Sequence, residues 1–182
     1  MIYQAFKLKC LAATLLLGSL ALTSRGQEKT HLIGNKPRSG SNYCNFNMSL
    51  GNQIGIKINA GRKLVQMLKL NFDAENIESD PIKFKINVYD FNDATPGKKL
   101  TDQIIYGAIP RGKNRVSVDL APYAIKVKGT VLVSLEWLDN YSSDNHFAIG
   151  LLNSGTWYYE DDHWKKKAIG GVDLNVMVRI VN

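Results

Sequence analysis

The sequence predicts an all-β protein: a two-sheet antiparallel β-sandwich, jelly-roll-like, with eight or more strands. Apolar residues recur at every second position over most of the chain, turn residues separate these stretches, and no long stretch has the period of an amphipathic helix. The chain has 182 residues and is 45% hydrophobic, so it can fill a packed core. Its two cysteines exclude a disulfide-dense scaffold.

Residues 1–26 have the three parts of a secretory signal peptide. Lys7 and Lys9 form a positive region, Leu11–Leu22 is an uncharged apolar run, and cleavage is expected after Gly26. Cleavage two residues earlier and an uncleaved anchor are the alternatives. The run is about 18 Å long as a helix, shorter than a bilayer core. We therefore expect an exported protein of the periplasm, cell surface or medium, with no stable membrane span after cleavage.

Residues 27–45 are polar and are predicted to form a flexible leader, followed by the β-sandwich domain over residues 46–182. Removal of the signal peptide leaves Cys44 without an internal partner. It is expected to be a buried small side chain, with tethering to a partner as the alternative. The longest run of basic residues is Lys165–Lys167, and no denser basic stretch is present, so no nucleic-acid partner is predicted.

The strand pattern is plainest in Ile82–Val88 and Val172–Ile180, where apolar residues alternate with polar ones. The same pattern places Leu68, Leu70 and Phe72 on one face. Such alternation predicts one buried and one solvated face for each sheet. Further alternating sets begin at Ile54, Val116, Tyr123, Val131 and Phe147.

The turns between the strands have recognisable residues. Thr95–Gly97 fits a type II turn, because Pro fixes the first central φ and Gly accepts a positive second one. Pro110–Gly112 resembles it. We expect Asn153–Gly155 to close a hairpin and Asp161–Asp162 to reverse the next strand. The one candidate for a helical turn lies near Asp73–Ser79.

Three segments carry a family resemblance. Ile82–Leu100 reads IKFKINVYDFNDATPGKKL, Val116–Asn140 contains a DL-x-PY corner and a SLEW strand, and Thr156–Lys166 is an aromatic hairpin. In this order they resemble a secreted β-sandwich domain of Gram-negative bacteria. In longer relatives that domain follows a carboxypeptidase-regulatory-like, transthyretin-like domain. The resemblance covers Gln66–Asn182 and implies fold and export, with no settled activity.

No pattern for catalysis, a metal or a cofactor is found, so we predict a protein that is not an enzyme and has no cofactor. His163 follows Asp161–Asp162, which is interpreted as a charged turn, and Asp139–Asn145 as a solvated loop. Glu136 and Glu160 are the carboxylates that a glycosidase could use, but nothing in the sequence places them face to face.

The most informative cluster is aromatic. Trp157, Tyr158, Tyr159 and Trp164 lie within eight residues. Neighbouring strand positions face opposite ways, so at least one ring should be exposed or covered by a loop, where it can stack on a sugar or a protein. Closing the end of the core is the alternative, favoured for Trp157 and Tyr159. The candidate ligand-binding residues are Tyr158, Trp164, Trp157 and Tyr141.

The sequence therefore predicts a secreted, non-catalytic β-sandwich module that binds a glycan or a protein partner at the cell envelope. A structural envelope component that acts by assembly is the alternative. A glycan-active hydrolase is the least supported.

Overall fold

A computed structural model describes residues 29–36, 42–92, 94–168 and 170–181. The predicted signal peptide lies outside these residues. Within them, no helix is both long and apolar enough to cross a membrane. The strands are β1 (Thr30–Gly34), β2 (Tyr43–Asn45), β3 (Gln53–Asn59), β4 (Val65–Asn76), β5 (Ile82–Asn92), β6 (Thr95–Lys99), β7 (Ile105–Ile109), β8 (Gly112–Asp119), β9 (Lys126–Val127), β10 (Thr130–Trp137), β11 (His146–Gly150), β12 (Thr156–Glu160), β13 (His163–Lys167), β14 (Gly171–Val172) and β15 (Asn175–Ile180).

The strands form two antiparallel sheets that pack face to face, which confirms the predicted β-sandwich. The first sheet has the order β1-β15-β4-β11-β14, with β2 paired to β11 and with β8 and β9 paired to β4. The second sheet has the order β13-β12-β3-β10-β5-β6, with β7 paired to β5. The apolar faces of the two sheets meet in one core within the described residues.

The predicted alternation is confirmed in β5. Ile82, Phe84, Ile86 and Val88 are each at most 1% exposed and face the core. Burying such a side chain contributes roughly 1.5–3 kcal/mol relative to leaving it in water. Since every second residue of a strand points the same way, one strand supplies four core side chains at once.

One strand departs from simple alternation. Met67 pairs with Val178 while Lys69 pairs with Met177, so Leu68 is the extra residue of a β-bulge in β4. The bulge reverses the faces on its N-terminal side. The prediction that Leu68 shares the core face is therefore wrong, and Met67 is fully buried instead.

Part of the predicted flexible leader is ordered. β1 pairs with β15 at the edge of the first sheet, and β2 pairs with β11. Most residues of both strands are exposed, because an edge strand has no neighbour on one side. Their polar composition therefore fits an edge position, and these residues of the predicted leader lie in strands.

Two predicted turns also differ from the structure. Thr95–Gly97 opens β6, and Pro96 pairs with Phe91 at the sheet edge, where a missing N–H is tolerated. Asn153–Gly155 does not close a hairpin, because β11 lies in the first sheet and β12 in the second.

Two further turn positions can be compared. Asp161–Asp162 reverses β12 into β13 as predicted, with φ values of 51° and 61° that suit a tight hairpin. The helical turn expected near Asp73–Ser79 is absent from the structure, because β4 continues to Asn76. A single 3-10 turn, Ala121–Tyr123, is present in the described part of the chain.

Candidate functional site

The outer face of the second sheet carries a row of side chains from six neighbouring strands. Residues directly opposite each other in an antiparallel ladder point to the same face, so the register defines the row. From β7 through β5, β10, β3 and β12 to β13, the register gives Tyr106, Lys85, Glu136, Gln53, Tyr159 and Trp164. We call these six side chains the polar–aromatic row.

An ion pair occupies the middle of the row. Lys85 Nζ lies 2.6 Å from Glu136 Oε1, and Asn87 Nδ2 donates a hydrogen bond of 2.7 Å to Glu136 Oε2. The Lys85 and Glu136 side chains are 29% and 17% exposed, so the pair is partly withdrawn from water. A cation and an amide thus hold this carboxylate in one orientation.

A buried polar network supports the ion pair. Gln53 Oε1 accepts hydrogen bonds from Ser134 Oγ at 2.7 Å, Tyr89 Oη at 3.2 Å and Asn87 Nδ2 at 3.3 Å. Burial raises the pKa of the Tyr89 hydroxyl above its ordinary value, so Tyr89 remains a donor at neutral pH.

One acceptor in this network is left over. Asn87 is 1% exposed, and its Oδ1 atom has no hydrogen-bond partner among the described residues. A buried polar atom without a partner is rare in folded proteins. Gln53, Asn87 and Ser134 all lie on the face that the alternation predicted to be solvated. Part of that face is therefore buried.

Aromatic rings cover the network. The ring centroids of Trp164 and Tyr89 are 5.6 Å apart, and those of Trp157 and Phe91 are 5.1 Å apart. In a flat sheet, four strand spacings would put β13 about 19 Å from β5. Rings reaching from these strands could not meet across that gap, so the hairpin of β12 and β13 curls over the sheet and makes its outer face concave.

The structure separates the four predicted ligand-binding residues. Trp157 and Trp164 lie on the outer face, where Trp157 is 8% exposed and packs on Phe91. Tyr158 pairs with Ile54 and points inward against the core. Tyr141 lies in the loop after β10, where its hydroxyl accepts a hydrogen bond of 2.9 Å from the Lys83 N–H.

Tyr158 also lines a cleft of about 450 Å³ at the edge of the sandwich. Asn47 Nδ2 donates a hydrogen bond of 2.5 Å to Glu160 Oε1 in the wall of this cleft. Glu136 is on the same face of the second sheet as Tyr159, and Glu160 follows Tyr159 by one residue. Glu136 and Glu160 therefore lie on opposite faces of that sheet. The structure does not bring this pair together across a common space, as glycoside hydrolysis requires.

The other polar groups considered in the sequence are held by local contacts. In the described ranges, no three His, Cys, Asp or Glu side chains gather as a metal site would require. Asp139 and Asn140 accept backbone hydrogen bonds within and beside their loop. Cys44 is half-buried rather than buried, with its Sγ 3.2 Å from Lys167 Nζ.

The sequence did not single out Gln53, Asn87, Tyr89 or Tyr106. Polar residues at outward strand positions are the norm, so none is unusual in its own segment. The signal that could have found them is the strand register, which the local sequence does not contain.

No family model matches the chain, and no curated protein is significantly similar to it in sequence. Among solved structures, the chain resembles the cysteine protease and lectin-like domains of Cwp84, a surface layer associated protein of Clostridium difficile, with 11% identity and a TM-score of 0.58. The match covers 87% of this chain and 37% of that one, so the chain spans little more than a third of that structure.

Two smaller structures are similar over nearly their whole length. CBM35 from Cellvibrio japonicus Abf62 matches with 11% identity and a TM-score of 0.42, over 87% of this chain and 96% of its own. Xyl-CBM35 in complex with a glucuronic acid containing disaccharide matches with 12% identity and a TM-score of 0.41, over 87% and 95%. At such identities the Cwp84 likeness shows the fold alone, and function has to be argued from the site.

Proposed function

We propose that this protein is an exported, non-catalytic module that binds a glycan on the concave outer face of its second sheet. The observation that carries the proposal is the polar–aromatic row, which has aromatic rings at both ends and fixed polar groups between them. A protein surface of this kind offers a saccharide two kinds of contact: ring faces for its C–H groups and oriented polar atoms for its hydroxyls.

The exposed members of the row support this assignment. Tyr106 is 61% exposed at one end. At the other end the ring centroids of Tyr159 and Trp164 are 5.3 Å apart, with the rings tilted by 56°, and both side chains remain partly exposed. From Tyr106 to Gln53 the row crosses three strand spacings, roughly 14 Å before curvature. That length suits an oligosaccharide better than a single sugar.

The positions of Glu136 and Glu160 favour a function in binding over one in hydrolysis. Glu136 already contacts Lys85 and Asn87, and Glu160 lies on the opposite face of the sheet. Both carboxylates can still accept hydrogen bonds from sugar hydroxyls, because each carboxylate oxygen has more than one acceptor site.

The test is binding to a glycan array and to polysaccharide gels, followed by calorimetry with the best ligand. We expect the wild type to bind, and Trp164→Ala and Glu136→Gln each to weaken binding at least about tenfold, equivalent to about 1.4 kcal/mol. Trp164→Ala removes a stacking surface, and Glu136→Gln removes the charge that orients Lys85.

Tyr43→Ala is the matched control. Tyr43 is an exposed ring on β2 of the first sheet, remote in the fold from the row. Its removal should leave the affinity unchanged. A folded wild type that binds no glycan on the array, or a Trp164→Ala protein that binds as the wild type does, would refute the proposal.

A further inference from the structure

A second surface lies on the outer face of the first sheet, at one end of the sandwich. The register pairs Lys126 with Gln66, and Gln66 with Arg179, so these three side chains lie side by side. Lys63 precedes β4 and Lys29 precedes β1 at the same end. Together Lys29, Lys63, Lys126 and Arg179 line a depression of about 590 Å³, which we call the basic hollow.

A buried amide orients the arginine. Arg179 Nη2 and Nε donate to Gln66 Oε1 at 2.9 and 3.2 Å, and Gln66 is 7% exposed. Because the amide is fixed in the sheet, the guanidinium is held in place, as a recognition surface requires. The three lysines are exposed, and none of them forms an ion pair with an acid in the described part of the chain.

The charged side chains that line the basic hollow are all positive. Among the described residues that line the hollow, none is Asp or Glu. Elsewhere in the described residues, Lys85, Lys113 and Lys165 each face a carboxylate. A depression lined by charges of one sign concentrates counter-ions of the opposite sign.

We propose that the basic hollow binds the oxyanion groups, carboxylate or phosphate, of an acidic polysaccharide. Lysine and arginine are the side chains that recognise such groups. Its lining contains no aromatic ring, whereas proteins that bind single-stranded nucleic acid stack bases on such rings. A depression of about 590 Å³ admits a few anionic groups rather than the width of a duplex. The hollow shares no residue with the polar–aromatic row, so it stands independently of the function proposed above.

The experiment compares polygalacturonate with its methyl-esterified form, which keeps the backbone and loses the charge. We expect the wild type to bind polygalacturonate, with an affinity that falls as salt rises, and to ignore the ester. The double variant Lys63→Gln/Lys126→Gln should bind at least about tenfold more weakly. Inorganic polyphosphate, tested in parallel, shows whether phosphate is preferred over carboxylate. Lysine-dependent binding of polygalacturonate supports the proposal, whereas polyphosphate bound without polygalacturonate would indicate an anion site with no polysaccharide partner and would overturn it.

Lys98→Gln/Lys99→Gln is the control, since it removes the same charge from exposed residues of the second sheet. It should bind as the wild type does. Equal loss in both double variants, or binding of neither polyanion, would overturn the site. Duplex DNA bound as tightly as polygalacturonate, with the same lysine dependence, would overturn the polysaccharide as the partner. Trp164→Ala should leave polyanion binding intact, so failure of glycan binding at the row is distinguishable from failure here.

Discussion

Trp137→Ala is expected to lower the free energy of unfolding by about 3–5 kcal/mol. Trp137 is 0% exposed at the end of β10, and its ring centroid lies 5.7 Å from that of Phe147 across the core. Truncation removes the transfer free energy of the indole and leaves a cavity that the two sheets cannot collapse to fill. Equilibrium unfolding in guanidinium chloride, followed by circular dichroism, measures the loss.

Two further variants test that explanation. Trp137 Nε1 has no hydrogen-bond partner among the described residues, so Trp137→Phe removes an unsatisfied donor together with some volume. It should cost clearly less than Trp137→Ala. Leu152→Ala, at a side chain 83% exposed, should change stability by less than about 0.5 kcal/mol. A cost below about 1 kcal/mol for Trp137→Ala would contradict the placement of this ring in the core.

The core of the fold could be predicted because burial follows directly from strand period. In Ile82–Val88 every second side chain is apolar, and these side chains share the sheet face that packs in the core. Leu68 shows the limit of that reasoning. An inserted residue shifts the faces without changing composition, so the β-bulge is visible only in the pairing of β4 with β15.

The candidate site was predictable only in part. Trp157 and Trp164 are close in sequence, so their hairpin was found. Gln53, Glu136 and Lys85 come from three distant stretches, and only strand register makes them neighbours. The basic hollow likewise could not be predicted from the sequence. Its cations are far apart along the chain and become neighbours through the pairing of β4 with β9 and β15.

A carboxylate of the first sheet makes stability depend on pH. Asp173 is 1% exposed, and its Oδ2 atom lies 3.2 Å from Arg115 Nη1, which also contacts Asp73 Oδ2 at 2.7 Å. One cation thus faces two carboxylates. The pKa of Asp173 is raised from 3.8 to about 7. Burial is the largest cause and the Asp73 carboxyl adds to it, while the Asp73 backbone N–H and Arg115 oppose the rise.

The sign of the pH dependence follows from proton binding. Between about pH 4 and pH 7 the folded protein keeps a proton that the unfolded chain releases, so this group favours folding most at low pH. Its contribution is lost as pH rises through the folded-state pKa. One proton corresponds to a slope of about 1.4 kcal/mol per pH unit, so the loss over the window amounts to a few kcal/mol.

Asp173→Asn should remove this slope, because the amide is neutral at every pH while Arg115 keeps its contact with Asp73. Unfolding free energies measured from about pH 4 to pH 8 should show the wild type losing stability relative to Asp173→Asn until about pH 7 and no further above it. Asp102→Asn, at an exposed residue, should follow the wild type throughout. A difference between wild type and Asp173→Asn that stays constant with pH would mean that Asp173 titrates alike in the folded and unfolded chains, and that the shared arginine fully offsets burial.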